Sequence, residues 1–214
     1  MIFLRDRSPD PAATLIVLLP GAYMLPADFV TAGFVSALRQ RSVPLDVAMA
    51  QLDLASIGDG SCLPALRDEA IMPARQAGYR SIWLCGISLG GFLCLSYVER
   101  FPGEVDGLCL LAPYPGNRLT TGDIEARGGL AAWQATEDSL QDPEVRVWHW
   151  IKTCRAKPSL YLAYGKDDRF AGRIGLLASS LPDAQISTCS GGHDWPTWRR
   201  LWDDFIDATF TPAT

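Results

Sequence analysis

The chain has 214 residues, 48% of them hydrophobic and 20% charged, which excludes a disordered chain and leaves enough material for one unassisted core. Its formal net charge of −5 supplies no positive field for phosphate backbones or anionic lipid, so nucleic acid is excluded as an expected partner. No apolar run approaches the ~20 residues that span a bilayer, and the apolar runs near the N-terminus are too short for a signal-peptide core, so the expectation is a cytoplasmic protein with no membrane insertion.

Apolar runs alternate with helix-like segments from end to end, the pattern of a parallel sheet with crossover helices. Strands are expected at residues 2–5 and 14–19, a helix at 27–41, a strand at 45–50 and a helix at 63–77. A strand at 81–86, a helix at 89–100 and a strand at 107–112 follow. The stretch 114–157 then breaks the alternation with Gly116, Gly122, Gly128 and Gly129, and it reads either as a short cap over the ends of the strands or as a surface loop with a helix near 144–152. Beyond it come a strand at 160–164, a helix at 172–180, a strand at 185–189 and a helix at 196–210.

In the last helix Trp195, Trp198, Leu201, Trp202 and Phe205 recur at three- and four-residue spacing, a stripe that packs on a sheet. The fold class is thus α/β, a mostly parallel sheet with helices on both faces, in one domain over residues 1–214. Six cysteines contain no C-x-x-C pair, and Cys85, Cys94 and Cys109 lie inside apolar runs, so buried thiols are expected rather than disulfides or a zinc site.

The segment 81–97 reads S-I-W-L-C-G-I-S-L-G-G-F-L-C-L-S-Y. Gly86-Ile87-Ser88-Leu89-Gly90 is a G-x-S-x-G pattern between a strand and a helix, the setting in which a serine hydroxyl is exposed on a strained turn. A phosphate-binding glycine loop would need a following Lys-Ser or Lys-Thr, and none is there. A serine nucleophile needs a base, and the chain has only His149 and His193. His149 falls inside the helix expected at 144–152. His193 follows Gly191 and Gly192 between the last strand and the last helix, where a sharp turn lets the imidazole reach the edge from which Ser88 emerges. The orienting acid must stand on another loop of that edge, and Asp167 and Asp168, after the strand at 160–164, are both candidates.

With these residues in place the chain resembles the α/β-hydrolase superfamily over nearly its whole length, including the chain order serine, acid, histidine. The resemblance implies that Asp168, three residues after Gly165, is the acid. It implies an oxyanion hole from the N–H groups of Ala22 and Leu89, although Pro20 stands where the superfamily's loop usually carries a histidine before the glycine. The activity it implies is ester hydrolysis through an acyl-enzyme, needing neither metal nor organic cofactor. A thioesterase or acyltransferase would use the same residues, and a non-catalytic binding module would use the same fold.

The substrate is expected to be a small-molecule ester or thioester, with homo-oligomerisation left open. Tyr23, Tyr114 and Trp195 are the residues expected to line its site. Trp133, Trp148 and Trp150 add aromatic surface to the stretch after Tyr114, with core packing the alternative for each. So short a stretch leaves little material for a lipid tunnel, and short to medium acyl groups are expected.

Overall fold

A computed structural model describes residues 1–154 and 157–211. Arg155 and Ala156, inside the expected insertion, and Pro212 to Thr214, at the end of the expected domain, lie outside the described residues.

Seven strands form one sheet in the order β1 (Ile2–Asp6), β3 (Leu45–Gln51), β2 (Thr14–Leu19), β4 (Ser81–Ile87), β5 (Gly107–Leu111), β6 (Ser159–Gly165) and β7 (Gln185–Cys189). All neighbours run parallel except β1, which pairs antiparallel with β3 at one edge. The central strands β2, β4 and β5 are buried almost throughout, which is why they read as continuous apolar runs rather than as alternation. At the edge, β1 is largely exposed and carries Arg5 and Asp6, charges that discourage a further strand from pairing there.

The register decides where the loops emerge. Leu19 lies beside Gly86, Ile87 beside Leu111, Leu111 beside Ala163 and Gly165 beside Cys189. The parallel strands therefore end in step, and the segments after β2, β4, β5, β6 and β7 share one carboxyl edge.

The expected helix at 27–41 is two helices, α1 (Pro26–Thr31) and α2 (Phe34–Gln40), because the chain turns at Gly33 with φ 83°. The helix expected at 63–77 is present in three pieces: α4 (Cys62–Leu66), a π-turn at Arg67–Ile71 and α5 (Met72–Gln76). Pro73 lacks the N–H that would continue the ladder and its ring crowds the preceding turn, so the backbone widens just before it. A short helix, α3 (Leu54–Gly58), precedes them; Asp53 caps it by accepting from Ala55 and Ser56 N–H groups.

Next comes α6 (Leu89–Arg100), in which every residue from Gly90 to Val98 is buried. It packs against β2, β4 and β5, and beneath α4 and α8 (Pro143–Thr153). Beyond β6 runs α9 (Ala171–Ser179), against that strand. The last helix, α10 (Trp195–Thr209), covers β5, β6 and β7, and buries Trp198, Leu201, Trp202 and Phe205. Phe205 meets the rings of Trp83 and Tyr161 from the sheet, and the Trp202 indole N–H donates to the Phe34 carbonyl of α2 at 3.0 Å. Cys62, Cys85, Cys94 and Cys109 are buried free thiols, and burial holds Cys94 and Cys109 well above the usual thiol range. Among the described residues no helix is long and apolar enough to cross a membrane.

Between β5 and β6 the chain forms α7 (Arg118–Ala126), a 3₁₀ turn at Asp138–Gln141, and α8. Two helices and a turn thus occupy the stretch that reads as a cap or as a loop with one helix.

Candidate active site

Ser88 joins β4 to α6 at φ 52° and ψ −114°, a backbone conformation that costs a non-glycine residue on the order of 1–3 kcal/mol. Its surroundings hold it there. The Ser88 N–H donates to the Leu111 carbonyl at 3.0 Å, and its own carbonyl accepts from the N–H of Tyr114 at 2.8 Å and of Gly91 at 3.0 Å. A Cβ on Gly86 would fall 2.2 Å from the Gly90 carbonyl carbon, and one on Gly90 would fall 2.1 Å from the Leu19 carbonyl oxygen. Backbone occupies both spaces and cannot swing away, so the two flanking positions admit only glycine.

The same close approach seats the loop at residues 20–22 against the first turn of α6. Ala22 and Leu89, the expected oxyanion donors, sit in that loop and that turn, Leu89 at the first position of α6, where a helix leaves its N–H groups without an intrahelical partner. Among the described residues four non-glycines have positive φ, and three of them, Tyr23, Ser88 and Ala112, follow β2, β4 and β5 on this edge. Strained backbone of this kind clusters at active sites and ligand clamps.

His193 lies on the loop between β7 and α10. Asp194 caps α10 by accepting from the Thr197 N–H at 3.0 Å, and hydrogen bonding from the Thr197 side chain, with its N–H second, holds the carboxyl below the usual range. The His193 Nε2 is 3.0 Å from Ser88 Oγ, and its Nδ1 is 2.6 Å from Asp168 Oδ2. A carboxylate can only accept, so Nδ1 carries the proton and Nε2 is left to accept from the serine hydroxyl. The Asp168 side chain is fully buried, and its other oxygen accepts from the Phe170 N–H at 2.8 Å.

Asp167 is turned away from the imidazole. Its Oδ2 accepts from the Gly191 N–H and its own N–H donates to the Gly191 carbonyl, both at 3.0 Å. One aspartate therefore contacts the imidazole, and its neighbour ties the loop after β6 to the loop after β7. His149 is half-buried on α8.

The residues expected to line the site fare differently. Tyr23 is 89% exposed beside the Ala22 loop and is not packed. Tyr114 is half-buried; its hydroxyl donates to Glu144 at 3.1 Å, and burial, with Glu144 second, pushes its pKa up to about 12. Trp195 is packed edge-on against Phe29, Phe34 and Trp198. Trp133 and Trp148 are buried, with their indole N–H groups donating to Asp123 and to the Pro115 carbonyl, so the aromatic surface expected from these two is core instead.

Two rings not expected at the site pack against the His193 imidazole. Phe170 and Trp198 meet the imidazole edge-on, with centroids at 5.3 and 5.0 Å. Trp198 reads from its helical spacing as core, and it is 3% exposed; periodicity cannot show that its far edge touches a histidine. Phe170 carried one available signal, its position two residues after Asp168 on the same loop. Two cavities of about 470 and 600 Å³ are lined by other parts of the chain, and no member of the Ser88–His193–Asp168 group lines either.

No protein-family model matches the chain, and no curated protein does. Solved structures do. The S-formylglutathione hydrolase FrmB of Staphylococcus aureus superimposes with a TM-score of 0.65 at 14% identity, over 97% of this chain and 94% of that one. The fluorophosphonate-binding serine hydrolase FphF of Staphylococcus aureus gives 0.67 at 15%, over 97% and 96%. An α/β-hydrolase enzyme, MGS-MChE2, from a lagoon-sediment metagenome gives 0.63 at 17%, over 96% and 95%. Sheet order, elbow and neighbours agree: the chain has the α/β-hydrolase fold.

Proposed function

We propose that the chain hydrolyses a carboxylic ester of small to medium size through an acyl-enzyme, with Ser88 as nucleophile, His193 as general base and Asp168 as the carboxylate that orients it. The observation that carries this reading is the unbroken relay from Ser88 Oγ to His193 Nε2 at 3.0 Å and from His193 Nδ1 to Asp168 at 2.6 Å.

In the first half-reaction Ser88 Oγ bonds to the ester carbonyl carbon as its proton passes to His193 Nε2. The Ala22 and Leu89 N–H groups receive the oxyanion, aided by the N-terminal dipole of α6. The imidazolium, stabilised by the buried Asp168, returns the proton to the departing alkoxide as the carbon–oxygen bond breaks. Water then repeats the sequence on the acyl-enzyme and frees Ser88. The buried thiols Cys85, Cys94 and Cys109 suit a reducing, cytoplasmic setting.

The test is labelling with a fluorophosphonate, the reactivity named for one of the structural neighbours, followed by a p-nitrophenyl ester series. Ser88 is expected to carry the label, and kcat/KM is expected to peak at short to medium acyl chains without activation by a lipid–water interface. An unlabelled Ser88 in folded protein would point to a binding module. A maximum on long-chain emulsified esters would overturn the size assignment. A matched oxygen-ester and thioester pair then fixes the leaving group.

A further inference from the structure

We propose that the substrate of this site carries, besides its ester, an anionic carboxylate or phosphate group that Arg169 and Arg173 hold. The proposal rests on the ester-hydrolase reading for the reaction itself, and on an independent set of contacts for the anion.

The contacts begin at the acid loop. The Asp168 carboxylate accepts from the Phe170 N–H at 2.8 Å and the Asp168 carbonyl from the Ala171 N–H at 2.8 Å, so the residues between Asp168 and α9 follow a tight turn. That turn stands Phe170 edge-on to the His193 imidazole at 5.3 Å and to the Tyr114 ring at 6.4 Å. The guanidinium carbons of Arg169 and Arg173 lie 4.8 and 5.1 Å from the centroid of the same phenyl ring. A long contact of 3.4 Å from Arg173 Nη1 to the Gly116 carbonyl leans that side chain toward the loop after β5. The base and both cations are thus each one ring contact from Phe170, within about one Debye length of about 10 Å.

Neither guanidinium forms an ion pair among the described residues, although arginines elsewhere, such as Arg41 with Asp207 and Arg67 with Glu104, do. The acids that face them are engaged. Asp168 is bonded to His193 and Phe170, Asp167 to Gly191, and Glu144 to the Tyr114 hydroxyl and the Asn117 N–H at 2.6 Å. Two like charges gathered on one ring, in a chain whose net charge is −5, repel each other, and apart from the long contact of Arg173 Nη1 with the Gly116 carbonyl no hydrogen bond of theirs is seen among the described residues. An oxyanion held by them offsets the repulsion and accepts charge-assisted hydrogen bonds. Stacking on Phe170 supplies the preorganisation, because each guanidinium is already placed and loses little side-chain freedom when the anion arrives.

The experiment uses Ser88→Ala protein, which binds without turnover, and three ligands of one length: dimethyl adipate, monomethyl adipate and methyl 5-phosphonopentanoate. At low salt, at least one charged ligand is expected to bind about tenfold or more tightly than the diester. Whichever charged ligand is tighter identifies the anion as carboxylate or phosphate. The advantage is expected to shrink toward onefold in 0.5 M NaCl and in the protein that also carries Arg169→Gln and Arg173→Gln. Equal binding of all three ligands, or an advantage that survives the double substitution, overturns the proposal. The salt series reads the same site with both arginines intact and does not depend on how the substituted protein folds. Hydrolysis of p-nitrophenyl butyrate by the unmodified enzyme is measured separately. If that ester is turned over without any anion preference, only the anion site falls; if anions are preferred but no ester is cleaved, the ester reading falls and the arginine pair stands as an anion site.

Discussion

The elbow around Ser88 and the stretch from Tyr114 to Thr153 meet the same edge of the sheet, but different forces hold them. At the elbow, backbone lies against backbone: Gly86 on Gly90, Gly90 on Leu19, and the Ser88 carbonyl on three N–H groups. In the stretch after β5, side chains do the holding. Glu144 bridges the Tyr114 hydroxyl and the Asn117 N–H, Asp123 takes the Trp133 indole, and Asn117 caps α7. Backbone contacts dictate residue type at each position, whereas side-chain pairs can be made by many residue combinations. The first kind of region is therefore intolerant and conspicuous, and the second adaptable and hard to foresee.

Removing the reacting groups of the first region gives the largest expected effect. Ser88→Ala or His193→Ala should each lower kcat on the order of a millionfold, and the double variant should be little worse than either, because the residues act as a unit. Thermal midpoints should barely move for Ser88→Ala, since alanine keeps the Cβ and the helix start. Losses that multiply would show that the two side chains work independently and would end the relay assignment.

The paired aspartates come next. Asp168→Asn should lower kcat roughly 10⁴-fold, because the amide favours the wrong imidazole tautomer. Asp167→Asn keeps an oxygen able to accept from Gly191 and should cost under about tenfold, whereas Asp167→Ala unties the two loops and should cost more. Steady-state kinetics on one ester ranks all three, and a larger loss at Asp167→Asn than at Asp168→Asn would transfer the role of orienting acid to Asp167.

The same contrast explains what was legible in the sequence. Strands β2 and β4 and helix α6 lie where apolar runs and the elbow put them. Periodicity and burial agree there, and the glycines around Ser88 have no other use. His193 was found by elimination, with one other histidine in the chain. The residues alone leave Asp167 and Asp168 both open, and the resemblance selects Asp168, the one that meets His193; what Asp167 does instead shows only in its contacts with Gly191, because adjacent residues with the same carboxylate differ only in the direction they point. Helix α7 was missed because Gly122 interrupts it and Thr120 and Thr121 disfavour it, while the contacts that stabilise it come from residues 10 to 27 positions away. The arginine pair on Phe170 was invisible for a related reason: Arg169 and Arg173 are four apart, and only the turn after Asp168 brings both onto one ring.

The glycines of the two regions should respond to the same substitution with opposite signs, and the first is the larger. Gly90→Ala places a methyl group 2.1 Å from the Leu19 carbonyl oxygen, so either β2 or α6 must shift. A loss of about 3 kcal/mol or more is expected, at or beyond the upper end for overpacked cores. Chemical denaturation measures it. A neutral result would mean that the elbow yields more easily than its backbone contacts imply, and would weaken the account of why Gly90 is there.

Gly122→Ala gives the smallest effect and separates the two regions most cleanly. Gly122 lies inside α7 with nothing within 4 Å of the position a Cβ would take, and its φ is not in the left-handed region. No contact is lost and none is forced. What changes is the unfolded chain, which loses conformational freedom when alanine replaces glycine, and the helix, which gains propensity; together these favour the folded state by about 0.5–1 kcal/mol. For a chain of this length that corresponds to a rise of about 1–4 °C in Tm. Turnover of a neutral ester should stay within about twofold, since α7 is held by Asn117, Asp123 and their partners rather than by close backbone approach. A fall in Tm would mean that α7 needs the freedom of glycine at this position, and that the stretch after β5 is built, like the elbow, on the shape of the backbone.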